Sequence, residues 1–134
     1  MPSNFEQFEK ELRIFSEISV PKDFQKLVQK LAFEVLRRVI IKTPVDTGRA
    51  RGNWMVAINN IPEGFIEIGS LSSEQATSFA LSKGIPVIEA AKPFTTISIA
   101  NNVPYIGVLE FGGSKQAPGG MARVTIAEIQ AQFK

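Results

Sequence analysis

Residues 22–41 read KDFQKLVQKLAFEVLRRVII, and the TPVDTG that follows at 43–48 stops whatever that stretch forms. Phe24, Leu27, Val28, Leu31, Val35, Leu36, Val39 and Ile40 recur at steps of three and four, which places them on one broad apolar stripe of an α-helix. At about 1.5 Å per residue that helix is near 30 Å long, comparable to the diameter of a domain of this size. It is therefore the expected spine of the fold. The ring of Pro44 disfavours helical geometry at Thr43, so the spine ends there.

Outward from the spine, the pattern changes period. On the N-terminal side Phe5, Phe8, Leu12 and Phe15 predict a short amphipathic helix or arm over 4–17, stopping before Pro21. On the C-terminal side, Trp54, Val56 and Ile58 alternate with Met55 and Ala57, which predicts a strand over 53–59. Pro62, Glu63 and Gly64 supply turn chemistry, and 65–69 is expected to return as the second arm of a hairpin. Ser72 is placed to cap a helix from Ser73, with Ala76, Phe79 and Ala80 on one side, until Gly84 and Pro86 interrupt it; a further turn of helix is expected over 87–91. The alternation in 94–100 (FTTISIA) predicts a third strand. The stretch 70–93 is long for a connection, and reads equally as a partner-docking insertion or as a helix covering one sheet face. Beyond it, Pro104 suits the first turn of a helix capped by Asn102 and ended by Gly112 and Gly113. Tyr105 and Leu109 would share one face of it, and Glu110 would stand beside Ile106. Good helix formers over 121–133 close the chain. The fold class is α+β, one domain over 1–134: a long N-terminal helix on a small antiparallel sheet of three to four strands, a helical insertion between strands two and three, and a C-terminal helix.

Composition narrows the chemistry. The 134 residues contain neither cysteine nor histidine, which removes disulfides, thiolate nucleophiles, imidazole bases and the usual zinc and iron ligand sets. No cofactor or metal is expected. No apolar run approaches a membrane span and the N-terminus is polar and acidic, so the expectation is a soluble intracellular protein without a membrane partner. Net charge is +2, with the basic excess concentrated in Arg37, Arg38, Lys42, Arg49 and Arg51. Brought to one face, these would form a phosphate-binding patch and make the chain a small nucleic-acid-binding module; otherwise they are a solvated helix end complementing its dipole.

Asp46-Thr47-Gly48 is the tripeptide of aspartic proteases, whose dimeric members pair one Asp from each subunit. The context opposes that reading, because a long helix and a proline precede it rather than an apolar strand, and Arg49 and Arg51 favour full ionisation of a carboxyl that must share a proton. The alternative is an Asx-type turn in which the Asp46 carboxylate accepts a backbone hydrogen bond and Gly48 takes a positive φ.

Two segments, 43–54 and 102–121, together hold most of the ten glycines, the single Trp and the single Tyr. TPVDTGRAR (43–51), then a strand, then VPYIGVLEFG (103–112) and APGGMAR (117–123), resembles the tail-component proteins of long-tailed bacteriophages, the group containing minor tail protein Z and tail-completion proteins. The resemblance implies a non-enzymatic virion protein that assembles as a ring, commonly sixfold, at the head-proximal end of the tail. It would join tail to head by contacts to the tail terminator or tube protein and to the head connector, with DNA passing through the channel unbound. Assembly in the host cytoplasm is implied too. The chain departs from the group where Gly120-Met-Ala-Arg123-Val stands in place of a Phe-Met-Arg-Pro pattern, at the point where the last helix docks. A ring needs one patch to meet a different patch on the next copy, with aromatic or arginine anchors near its centre. Arg49, Arg51, Tyr105 and Phe111 are the candidate anchors and Glu110 a candidate ionic partner, while Pro44, Asp46, Gly48, Pro104, Gly112 and Gly113 fix the loops that carry them. For Tyr105 and Phe111 plain core packing is the competing reading.

Overall fold

A computed structural model describes residues 21–45, 48–117 and 119–132. The expected N-terminal helix over 4–17, the turn at Asp46 and the end of the terminal helix at Phe133 lie outside the described residues. The spine is helix α1 (Pro21–Lys42). It buries Leu31, Ala32, Leu36, Val39 and Ile40, with Leu36 and Ile40 wholly inaccessible to solvent. After it come a single turn of helix α2 (Arg49–Gly52), strand β1 (Trp54–Ile58), helix α3 (Ser73–Glu89), strand β2 (Ile97–Asn101), a short helix α4 (Ile106–Glu110) and helix α5 (Ala122–Gln132). Trp54, Ala80, Ile88, Ala117 and Met121 close over the α1 stripe to form one core.

The sheet differs from expectation. Among the described residues it has two strands, not three or four: β1 pairs antiparallel with β2, Trp54 opposite Asn101 through Ile58 opposite Ile97. The predicted hairpin is absent because 65–69 joins no ladder. Instead the side-chain amide of Asn53, itself fully buried, donates to Ile66 O (3.0 Å) and accepts from Ile66 N (2.7 Å), satisfying with a side chain the groups that a neighbouring strand would use.

Helix α3 also departs from the reading of its sequence. Ser72 and Gln75 form a reciprocal capping box at its start, as the sequence indicated. Gly84 and Pro86 do not end it; the helix runs on to Glu89. Ala76, Ala80, Gly84 and Ile88 recur every four residues and are all buried, a ridge of small side chains along which α3 meets α1, α2 and β1. A Cβ on Gly84 would stand 2.6 Å from Leu36 Cδ2 and 3.0 Å from Val56 Cγ2, so the glycine is where the elements cross most closely. At its far end, Gln29 donates to Ile88 O (3.0 Å), Glu89 O (3.2 Å) and Ala91 O (3.3 Å), and Gln25 also donates to Ala91 O, satisfying carbonyls that a helix end leaves open. Packing on both sides of Pro86 thus holds a helix that the proline alone would break. Of the two readings of 70–93, this is the helix that covers the sheet.

Pro86 is exposed and still lacks the N–H that would bond back to Ser82. Pro86→Ala should therefore raise stability by about 1–3 kcal/mol, read as an increase in Tm. A Tm that stays or falls would mean that α3 is broken at this point.

Candidate functional site

The end of α1 is built around Thr43, which has no solvent exposure. Its hydroxyl donates to Val39 O (2.6 Å) and accepts from the indole Nε1–H of Trp54 (2.7 Å), so one oxygen joins the last turn of the spine to the first residue of β1. Arg51 reinforces the joint, donating to Ile41 O (2.9 Å) and Thr43 O (2.9 and 3.1 Å) and to the Ser73 hydroxyl. Burial lowers the pKa of Arg51, yet the guanidinium stays charged at any ordinary pH and complements the negative end of the α1 dipole. It is a helix cap first. Gly48 adopts φ +85°, and a Cβ there would lie 2.7 Å from Leu71 O and 2.9 Å from Leu71 Cβ, so the turn into α2 needs glycine for its angle and for its space. The element described before Gly48 is the helix α1 and not the apolar strand that precedes such a tripeptide in a protease.

The second segment folds against this joint. Val45 donates its N–H to Gln116 Oε1 (3.1 Å), and Asn101 donates from its side chain to Ala50 O (2.8 Å). Between the segments lies a cleft of about 480 Å³, lined among others by Pro44, Val45, Arg49, Tyr105, Leu109 and Gln116. The Arg49 guanidinium forms its wall, 4.8 Å from the centre of the Phe65 ring and 5.8 Å from that of Tyr105, and donates to Glu67 (2.9 Å). The structure thus brings Arg49 and Tyr105 together and sends Arg51 the other way, to the helix end.

Helix α4 buries none of its residues. Tyr105, Val108 and Phe111 stand three apart on its outer side, with Val108 62% and Phe111 76% exposed. This answers the core-packing alternative for Phe111, and Val108 joins the ridge through a three-residue spacing that the sequence displayed. Asn102 does not cap the helix; its amide donates to Pro62 O (2.8 Å) and the cap position is Tyr105, without a side-chain bond. The C-terminal end follows expectation: Gly112 takes φ +87° and donates to Leu109 O (3.2 Å), while Gly113 donates to Val108 O (2.8 Å), a Schellman closure.

Glu110 is paired, but with neither Arg49 nor Arg51. Its carboxylate accepts from the N–H groups of Met121 (3.0 Å), Ala122 (2.8 Å) and Arg123 (3.1 Å) and from Arg123 Nε (3.1 Å), capping α5 from another helix. Gly120, φ +88°, makes this approach fit: a Cβ there would lie 2.2 Å from Glu110 O. The Arg123 guanidinium also covers the Phe111 ring at 4.9 Å. Sequence reasoning missed Arg123, Asn53 and Thr43, whose partners are remote in the chain. The far part of α5 is tied down by Glu128, which pairs with Lys42 (2.7 Å) and Arg38 (3.5 Å).

These contacts give the basic residues partners within the chain, and nothing supports a phosphate-binding patch. Arg37 and Arg38 pair with Glu34, Arg38 and Lys42 with Glu128, Arg49 with Glu67, and Arg51 with carbonyls. Three carboxylates thus engage four of the five cations, and Arg51 is held by neutral carbonyls and the Ser73 hydroxyl. Among the described residues no cluster of His, Cys, Asp or Glu could hold a metal ion, and no helix is long and apolar enough to cross a membrane.

The small α+β domain thus brings its two glycine-containing segments together in a cleft beside an exposed apolar ridge. Residues 6–112, well over half of the chain, match the family model described as "Bacteriophage HK97-gp10, putative tail-component". The chain belongs to this family of phage tail components, a structural class. No curated protein and no solved structure matches it. The match reaches the ridge and ends before Met121 and Arg123.

Burial pushes the pKa of Glu110 up, but the N–H groups of Ala122, Arg123 and Met121 and the Arg123 guanidinium outweigh it and hold the carboxyl below its ordinary 4.5. A lowered folded pKa means a stabilising contribution present above the unfolded value and lost as pH falls through the folded one. Glu110→Gln should cost about 1–3 kcal/mol at pH 7, and the gap to wild type should narrow as pH is taken from 5 downwards. Denaturant unfolding across that range checks it. A gap independent of pH would show that Glu110 does not act as a charged cap.

Proposed function

We propose that this tail component completes the head-proximal end of the tail, forming a ring, sixfold in the virion, that surrounds the DNA channel and helps join the tail to the head connector. The observation that carries the reading is the ridge of Tyr105, Val108 and Phe111 beside the Arg49 cleft, because an isolated domain gains nothing by leaving Phe111 and Val108 in water. A ring requires two different patches on each copy. The ridge with Arg49, Tyr105 and Phe111 supplies one, and aromatic and arginine side chains are the usual anchors of such borders. Glu110 and Arg51 serve it indirectly, by fixing α5 and the end of α1. The rigid turns at Pro44, Gly48, Pro104, Gly112 and Gly113 hold the ridge and cleft in one geometry, which lowers the ordering cost of association.

The two ends of the ring would face the tail terminator or tube protein and the connector, after assembly in the host cytoplasm. The modest net charge of +2 supports a channel that lets DNA pass, since tight phosphate binding draws on many basic contacts. Electron microscopy of particles assembled without this protein tests the reading. Full heads and finished tails that fail to join are expected; normal infectious virions would refute it.

A further inference from the structure

Among the described residues the β1–β2 sheet has no strand on either outer edge. Asn59 donates its N–H to Thr96 O (2.8 Å), one pair beyond the Ile58–Ile97 end of the ladder. Bonded and unbonded pairs alternate along an antiparallel ladder, so this contact sets the phase. The backbone groups of Ile97, Ile99 and Asn101 point away from β1, and those of Trp54, Val56 and Ile58 point away from β2. Among the described residues none of them has a backbone partner. Lone proteins blunt such edges with charge, proline or a bulge. Here there is no Asp, Glu, Lys, Arg or Pro from Gly52 to Ile61, or from Phe94 to Val103.

The same chain carries an unused strand-like segment. Residues 65–69 (FIEIG) have the alternating pattern of a strand but lie in no helix, turn or ladder, with Phe65 37% and Ile66 40% exposed. Asn53 holds the two backbone groups of Ile66, while those of Phe65, Glu67 and Gly69 have no backbone partner among the described residues. A sheet edge that lacks a strand and a strand that lacks a sheet are complementary in hydrogen bonding. Because both occur on every copy, they can satisfy one another head to tail, by reciprocal exchange in a two-fold dimer, or by folding back within one chain; of these only the head-to-tail join extends into a ring.

We propose that residues 65–69 of one copy add to the outer edge of β2 in the next copy, so that each subunit gives a strand on one side and receives one on the other. This rests on the ring reading and supplies its second patch: β2 is the receiving surface, and the hydrogen-bonded join is heterologous as ring closure demands. The two patches that Asn53 and Arg49 keep close to the body, Ile66 and the Phe65–Glu67 pair, hold the donor in place before it meets its acceptor.

The chain contains no cysteine, so introduced pairs report alone. Tails are purified from particles carrying Glu67→Cys with Ser98→Cys and treated with a short bis-maleimide. A ladder extending past dimers is expected for the double variant, with neither single variant passing dimers. Cross-links confined within monomers or stopping at dimers, or none at all in tails that contain the protein, overturn the proposal and leave the tail role standing. Absence of the protein from the particles overturns both. Ile99→Pro gives a second readout, since proline is tolerated on an open edge where the N–H faces outward. Because the Ile99 side chain also packs against the core, Ile99→Ala is the control: both variants should keep the wild-type circular dichroism and only the proline variant should fail to enter tails, while its entry at the wild-type level contradicts the pairing.

Discussion

The hydroxyl of Thr43 is the contact on which the rest depends. It donates to Val39 O at the end of the spine and accepts from Trp54 at the start of β1, so it fixes the angle between helix and sheet with one buried atom. Neither bond is strong by itself, about 1 kcal/mol net. Their weight comes from burial: with Thr43 and Trp54 sealed from solvent, an indole N–H without its acceptor would carry the full desolvation penalty. Arg51 closes the same joint from outside by taking the carbonyls of Ile41 and Thr43. Once this corner is set, Gly48 and α2 must pass beneath Leu71, and Arg49 is delivered to the wall of the cleft.

A second tie works from the opposite side. Glu110 gathers three N–H groups and Arg123 at the start of α5, and Glu128 near the far end of α5 meets Lys42 and Arg38 on the spine. Helix α4 is therefore held by its last residue and by the Schellman turn behind it, which leaves its outer side without packing duties. Rigid support beneath exposed aromatic side chains is what an assembly surface needs, because the chain need not be ordered again on association. The family of phage tail components to which the chain belongs is structural, and the geometry of cleft and ridge accords with that class.

Much of this was legible in the sequence. The stripe from Phe24 to Ile40 gave the spine nearly to the residue, Ser72 gave the start of α3, and the paired glycines gave the end of α4. The resemblance to tail components rested on the same segments that the structure brings together. What escaped was non-local. The turn chemistry at Pro62 to Gly64 suggested a hairpin, but Asn53 captures Ile66 and β1 finds its partner at β2 instead. Pro86 taken by local propensity is a helix stop; the Ala76, Ala80, Gly84, Ile88 ridge, visible in the sequence by its four-residue spacing, carries the helix past it. Glu110 reads in the sequence as a candidate ionic partner at a border between copies, whereas its partner stands thirteen residues on in the same chain, where Gly120 lets the two segments approach.

The central claim is that α4 and its neighbouring cleft lie at the border between copies in the finished tail. A cryo-electron microscopy reconstruction of the tail's head-proximal end, at a resolution that shows side chains, tests it most directly. The account predicts Tyr105, Val108 and Phe111 buried against an adjacent copy, with Arg49 at the same border. A ring in which that ridge faces solvent or the channel would contradict it.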